Sequence, residues 1–263
     1  MNFKKSYKEK YGYERIITDR NSVLTFAEAD MLKLRGEGEY KIDEKGKEFA
    51  LVVLYGTINV KGEGFCFENV GIRKSVLDGV GETVYVGKDT EFTVRAVGGD
   101  AKICIAKAPA NQYYKPQVLK TADIKTKTLG KDSFLRTAAF NLAENAEANL
   151  LYIGEFWVEN GKWASFPPHK HDVDDMPAEG FLDEIYYYEF DRQQGFGVQM
   201  VYSADGDTDK AYKVKSGDFV EIPKGYHPFS VAPGYKNYCL WIMAGKHRGI
   251  FCTTEEKHKW INS

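Results

Sequence analysis

The sequence predicts an all-β protein, a sandwich or barrel, and three observations carry that expectation. Short apolar and aromatic runs recur at even spacing along the whole chain, each bounded by Gly, Asp, Asn or Lys. Aromatic residues make up 14% of the 263, with 17 Tyr and 16 Phe, a bias that favours strands. Helical periodicity is weak everywhere, and only residues 25–34 and 253–260 are offered as short helices.

Taken in order, the first half offers strands over residues 49–54 (FALVVL), 57–60 (TINV), 83–86 (TVYV), 91–97 and 102–106. The second half offers 150–158, 184–190, 197–202, 212–215, 219–222 and 238–243. The run EIYYYEF at 184–190 alternates as a strand does. Sliding the chain on itself by 136 residues lays GETVYVGKDTEFTVRA, from Gly81, on GDFVEIPKGYHPFSVA, from Gly217. Val84, Val86, Lys88 and Ala96 then match Val220, Ile222, Lys224 and Ala232, while Pro223, Gly225 and His227 face Gly87, Asp89 and Glu91. The first copy keeps the strand pattern and lacks the turn and the histidine. Residues 113–130, rich in Lys, Thr and Gln, read as the linker, which gives domains at 1–125 and 126–263.

Composition excludes several classes of function. Lys plus Arg (36) against Asp plus Glu (38) leaves a formal charge of −2, so there is no basic excess to bind a phosphate backbone, and no nucleic-acid partner is expected. No apolar run approaches the roughly 18–20 residues of a membrane span, and the basic N-terminus lacks the apolar segment of a secretory signal; a cytoplasmic home is the expectation. The four cysteines, Cys66, Cys104, Cys239 and Cys252, lie far apart and read as buried free thiols.

The chemistry is concentrated late in the chain, because none of the five histidines precedes position 169. His169 and His171 form an H-x-H pair, whose side chains project to one face of a strand and can converge on one ion. Glu184 follows His171 by thirteen residues, after a loop that can return the chain antiparallel, and His227 follows a Pro-Lys-Gly turn. Three imidazoles and a carboxylate suit Zn²⁺, Mn²⁺, Fe²⁺ or Ni²⁺, with positions left open for substrate. His247 and His258, in Lys- and Arg-rich surroundings, are left out of the site.

H-x-H, a later Glu, and G-x5-P-x-G ending in His resemble the two motifs of the cupin barrel, a double-sheet jelly roll. The gap from His171 to Glu184 is longer than in most cupins, and one residue, not two, separates Gly225 from His227. Both departures point the same way. PPHKHD, E-x-YYY-x-F, QGFGVQMVY, V-x-x-GD-x-V-x-x-P-x-GYHP and APGY-x-x-Y-x-LW-x-MAG are similar to the bicupin isomerase family. That family holds the 5-deoxy-glucuronate isomerases of myo-inositol catabolism and their ketol-isomerase relatives of pectin breakdown. The likeness is specific over about residues 150–248 and extends to F-x-F-x-x-VG-x-R-x-SV-x-DG, from Phe65 to Gly79.

The resemblance implies two tandem cupin domains, the first structural and the second catalytic. It implies an aldose–ketose isomerisation of 5-deoxy-D-glucuronate to 5-dehydro-2-deoxy-D-gluconate, and a single divalent ion, zinc foremost, on His169, His171, Glu184 and His227. Proton transfer then needs a base near the substrate, for which Glu179, Asp183, Tyr186 and Tyr226 are candidates. A sugar acid also brings a carboxylate, for which Lys224, Arg192 and Arg248 are the available cations, while Gln199 is placed to hold a hydroxyl. A related uronate ketol-isomerase, a cupin dioxygenase and a non-catalytic sugar-binding cupin are the alternatives. The first barrel is expected to cover the catalytic half or to build the interface of a homo-oligomer.

Overall fold

The computed structural model describes residues 2–262, and its strands form two large sheets lying back to back, each faced by a smaller one. The first large sheet runs Gln117–Leu119, Thr83–Val86, Lys47–Tyr55, Ala101–Pro109, Glu28–Leu34, Gly12–Ile17. The second runs Lys4–Ser6, Asp218–Ile222, Asp183–Phe190, Lys236–Ala244, Leu151–Glu159, Arg136–Leu142, Lys125–Leu129. Four-stranded sheets close each barrel, one built around Ile58–Gly62 and Phe92–Ala96, the other around Gly197–Tyr202 and Phe229–Val231.

The period of two explains why the central strands read as unbroken apolar runs. In Lys236–Ala244, Tyr238, Leu240 and Ile242 enter the core between the two large sheets, where Met31, Val52 and Ile185 also lie. Cys239, Trp241 and Met243 point the other way, into the second barrel with Tyr186, Tyr188 and Phe229. A strand buried on both faces has no polar side to show. The same double burial corrects the helix expected over 25–34. Glu28–Leu34 is a strand, with Ala29 and Met31 in the central core and Leu32 and Leu34 inside the first barrel.

Three other expectations change. The presumed linker contributes strands Gln117–Leu119 and Lys125–Leu129, whose polar composition suits a sheet edge. Residues 4–6, assigned to the first domain, pair with Asp218–Val220 as the edge of the second large sheet. Residues 253–260 begin with a two-residue strand, Thr253–Thr254, before a 3-10 helix over Glu256–Asn262. All four cysteines are free; Cys104 and Cys239 are buried, but Cys66 is exposed. No helix among the described residues is long and apolar enough to cross a membrane.

The internal repeat is visible as matching strand order, but its register corrects the expected correspondence. Phe49 sits opposite Val86 in the first barrel, as Glu184 sits opposite Ile222 in the second. The loop at 87–91 is one residue longer than 223–226, so Phe92, not Glu91, occupies the place of His227. A slip of one residue exchanges the faces of a strand. Glu91 is accordingly on the surface, 2.7 Å from Lys41 Nζ. Phe49 and Phe92 pack ring to ring, with centroids 5.3 Å apart, where the second barrel has Glu184 beside His227. Lys107, opposite Phe49 as Met243 is opposite Glu184, fills more of that interior with its ammonium 2.5 Å from Asp30.

Buried carboxylates tie the halves together. Glu48 accepts the backbone N–H groups of Asn149, Leu150 and Leu151 at 2.7, 2.6 and 2.8 Å. Asp183, at the equivalent position of the second barrel, accepts those of Phe26 and Ala27. Arg73, from the motif between Phe65 and Gly79, crosses to Glu155 at 2.7 Å; both are buried. Glu155 also accepts Tyr238 Oη at 2.6 Å and the Gly81 N–H at 2.9 Å.

Candidate metal centre

Three backbone segments converge inside the second barrel. His169–Lys170 is a two-residue strand held by Thr253–Thr254. Glu184 projects to the same face of its strand as Tyr186 and Tyr188, into the barrel. His227 follows a turn whose Gly225 has φ +85°, and a Cβ there would meet the Tyr202 carbonyl at 2.3 Å, so the turn needs glycine. Asp172 Oδ2 accepts the Gly225 N–H at 2.7 Å, which fastens this turn to the loop after His171.

His171 Nε2 and His227 Nε2 each lie 3.1 Å from Glu184 Oε2, and these three residues offer ligand atoms within 4.8 Å of one another. His171 Nδ1 donates to the Leu182 carbonyl at 2.8 Å, and His227 Nδ1 to the Gly225 carbonyl at 3.1 Å. With Nδ1 as the donor, the Nε2 lone pair faces inward, the orientation that metal-binding histidines take. His169 stands beside this trio, its ring centroid 4.8 Å from that of His227 and 6.4 Å from that of His171, but it is not part of the group whose ligand atoms lie within 4.8 Å of one another. Burial, reinforced by the neighbouring imidazoles, pushes His169 down to about 3, so its ring is neutral. Burial alone would raise Glu184, but the His171 and His227 rings, each with its Nε2 3.1 Å from Glu184 Oε2, outweigh it and hold the carboxyl at about 2, ionised. His227 Nε2 is buried without a hydrogen-bond partner. An orphaned Nε2 among three imidazoles and one ionised carboxylate fits a divalent cation.

The cluster opens into a cavity of about 960 Å³, walled by aromatic residues that include Phe140, Phe156 and Trp241. Its polar lining includes Tyr186, Ser165, Glu144, Arg136, Lys127 and Arg248.

Comparison with known proteins assigns this arrangement to a family. The model of the KduI/IolB family matches residues 3–261. The chain belongs to the KduI/IolB family. It is 36% identical over 247 residues to the 5-deoxy-glucuronate isomerase of Bacillus subtilis strain 168, covering 93% of this chain and 91% of that one. The enzyme of the same name from Lacticaseibacillus casei is 35% identical over 252 residues, covering 94% and 93%. An IolB-like protein from Salmonella typhimurium superposes over the whole of both chains with a TM-score of 0.96 at 30% identity. Oxalate decarboxylase from Bacillus subtilis shares the fold, with a TM-score of 0.67 at 12% identity, over 96% of this chain and 79% of that one.

Within this KduI/IolB fold the structure separates the expected site residues. Tyr186 lines the cavity, its hydroxyl 2.6 Å from Ser165 Oγ. Glu179 does not: it is buried in its own loop, held by Lys170 Nζ at 2.8 Å and by the Asp172 and Val173 N–H groups. Asp183 is spent on the contacts to Phe26 and Ala27. Tyr226 packs against Tyr202, ring centroids 5.4 Å apart and tilted by 39°, outside the cavity lining. Lys224 faces Asp205 and Asp207 at 3.6 Å, and Arg192 is mostly exposed beside Asp191. Arg248 reaches the cavity, but its guanidinium is engaged by the carbonyls of Leu151, Ala146 and Ala143. His247 and His258 pair with Asp174 and Glu255, away from the cluster.

Gln199 also proves to have a different part. It is fully buried, accepts from Tyr188 Oη at 2.7 Å, and donates through Nε2 to the His227 carbonyl at 2.8 Å. It positions a ligand residue and does not line the cavity. Gln199→Leu should therefore weaken metal affinity about 10- to 100-fold, measured by chelator competition. Unchanged affinity would return Gln199 to a packing role. Arg136 and Ser165 escaped the sequence reading because neither lies in an expected strand, and a lone arginine after a lysine-rich stretch looks like a solvated charge.

Proposed function

We propose that the chain is a metal-dependent aldose–ketose isomerase that converts 5-deoxy-D-glucuronate to 5-dehydro-2-deoxy-D-gluconate. The observation that carries this reading is the convergence of His171, Glu184 and His227, with His169 beside them, next to a cavity that His169, His171 and Glu184 line, in a chain 36% identical to a 5-deoxy-glucuronate isomerase. Those four residues would hold one divalent ion, zinc first among the candidates, and when bound it supplies Lewis acidity toward the substrate's carbonyl and adjacent hydroxyl oxygens.

The chain's own groups supply the rest. The Gly225 and Leu182 carbonyls fix the ring orientation of His227 and His171, and Gln199 holds the His227 backbone carbonyl. Burial holds the Tyr186 phenol well above its usual range, so it stays protonated and can donate to a substrate oxygen while Ser165 fixes its rotamer. Glu144, hydrogen-bonded by Tyr152 Oη at 2.8 Å, is the lining carboxylate outside the ligand set and is placed to accept a proton. The aromatic walls offer apolar surface to the sugar carbons.

Turnover of 5-deoxy-D-glucuronate by metal-replete protein in D₂O is the test. Proton transfer through the cavity groups should carry solvent deuterium onto the former aldehyde carbon, C6 of 5-dehydro-2-deoxy-D-gluconate. Full retention of the substrate hydrogen would replace proton transfer by a hydride shift. Binding of the uronate with no turnover would overturn the isomerase reading in favour of a sugar-binding cupin.

A further inference from the structure

The cavity carries an arginine that the described residues leave without an acidic partner. Arg136 opens the strand Arg136–Leu142, and Arg136, Ala138 and Phe140 all face the cavity. Directly across the edge ladder they pair with Leu129, Lys127 and Lys125, which therefore share that face, and all three of these also line the cavity. Lys127 Nζ sits 5.1 Å from the centre of the Phe140 ring, at the same wall.

Among the described residues the guanidinium of Arg136 has one acceptor, the Phe134 carbonyl, 3.4 Å from Nη1. A guanidinium offers five N–H donors in a planar fork, so most of its hydrogen-bonding capacity is unused. None of the ion pairs among the described residues includes Arg136, Lys125 or Lys127. Arg248 is the contrast: it lines the same cavity, yet three backbone carbonyls within 3.2 Å occupy its donors. Arg136 lines the same cavity as Tyr186 and His169, so one ligand can reach both the fork and the ligand cluster. A half-buried cation with no acidic partner among the described residues is costly. A bound anion would offset that cost.

We propose that Arg136, assisted by Lys127, grips the carboxylate of a sugar acid whose other end meets the His–Glu cluster, and so selects uronates over neutral sugars. The assignment rests on the isomerase reading of this cavity. It makes Arg136 a specificity-determining residue that holds a part of the substrate remote from the reacting carbons.

Steady-state kinetics on metal-replete Arg136→Gln and Arg136→Lys test it. Arg136→Gln should keep its metal and raise KM for 5-deoxy-D-glucuronate on the order of 10²-fold, with kcat changed by no more than about threefold, because the grip is equal in ground and transition states. Arg136→Lys should recover part of the loss, as a point charge without the fork. An unchanged KM, or a fall confined to kcat, overturns the proposal. Direct calorimetric binding keeps this outcome separate from a failure of the isomerase reading. Wild-type protein should bind D-glucuronate more tightly than Arg136→Gln does, while D-glucose should not distinguish the two. Equal binding of D-glucuronate to both proteins overturns the carboxylate anchor, whether or not 5-deoxy-D-glucuronate is turned over.

Discussion

Replacing His169 and His171 together by alanine should leave purified protein with no bound metal and an activity at least about 10³-fold lower, the scale expected when several kcal/mol of charge stabilisation are removed. The two side chains are half of the proposed ligand set, and the remaining pair, Glu184 and His227, offers too few donors to hold a divalent ion against water. The fold should survive, because the backbone bond from the Leu182 N–H to the His171 carbonyl and the pairing of His169–Lys170 with Thr253–Thr254 do not need the rings. Elemental analysis of the variant, with its circular dichroism as the control for folding, decides the matter. A full complement of metal in the double variant would remove these histidines from the site.

The second large effect is expected far from the cavity. Glu155→Gln keeps the shape of the side chain but leaves Arg73 as a buried cation without its counter-charge, and Arg73 already spends its other donors on the carbonyls of Val53, Leu54 and Gly79. Breaking one side of such a pair costs about 3–5 kcal/mol. For a chain of this size that corresponds to a fall in the unfolding midpoint of roughly 10 °C, readable by calorimetry. Arg73→Met combined with Glu155→Leu should recover part of the loss, since neither charge is then buried alone. A midpoint within about 2 °C of wild type for Glu155→Gln would mean that Tyr238 and Asn141 rearrange to neutralise Arg73 without the carboxylate.

These two sites differ in how far the sequence reveals them. The ligand set is legible because H-x-H, Glu184 and the glycine turn before His227 each carry a local signature, and strand alternation then sends Glu184 and Tyr186 to one face. The strands of the second half are legible for the same reason: Thr, Val, Ile and Tyr runs end at Gly and Asp. Glu28–Leu34 is not, since a strand buried on both faces that also carries Glu28 and Asp30 inward shows neither period. Nor is the one-residue difference between the loops at 87–91 and 223–226, which an ungapped comparison hides and which moves Phe92 into the place expected for Glu91. Arg73 and Arg136 look like solvated charges until the partner strand is known. For Arg73 that partner is more than eighty positions away, at Glu155.

Glu48 and Asp183 stand at matching places in the two barrels, and each reaches out of its own barrel to cap backbone N–H groups that lead into a strand of the other. An exchange of that kind is what a two-fold axis produces between identical subunits, where whatever one copy does to its neighbour the neighbour does in return. Within one chain the two barrels are therefore related as the subunits of a symmetric dimer would be. The reciprocal contacts join the barrels in the same way on both sides, while their interiors differ: Phe49, Phe92 and Lys107 fill the first where the second has Glu184 beside His227.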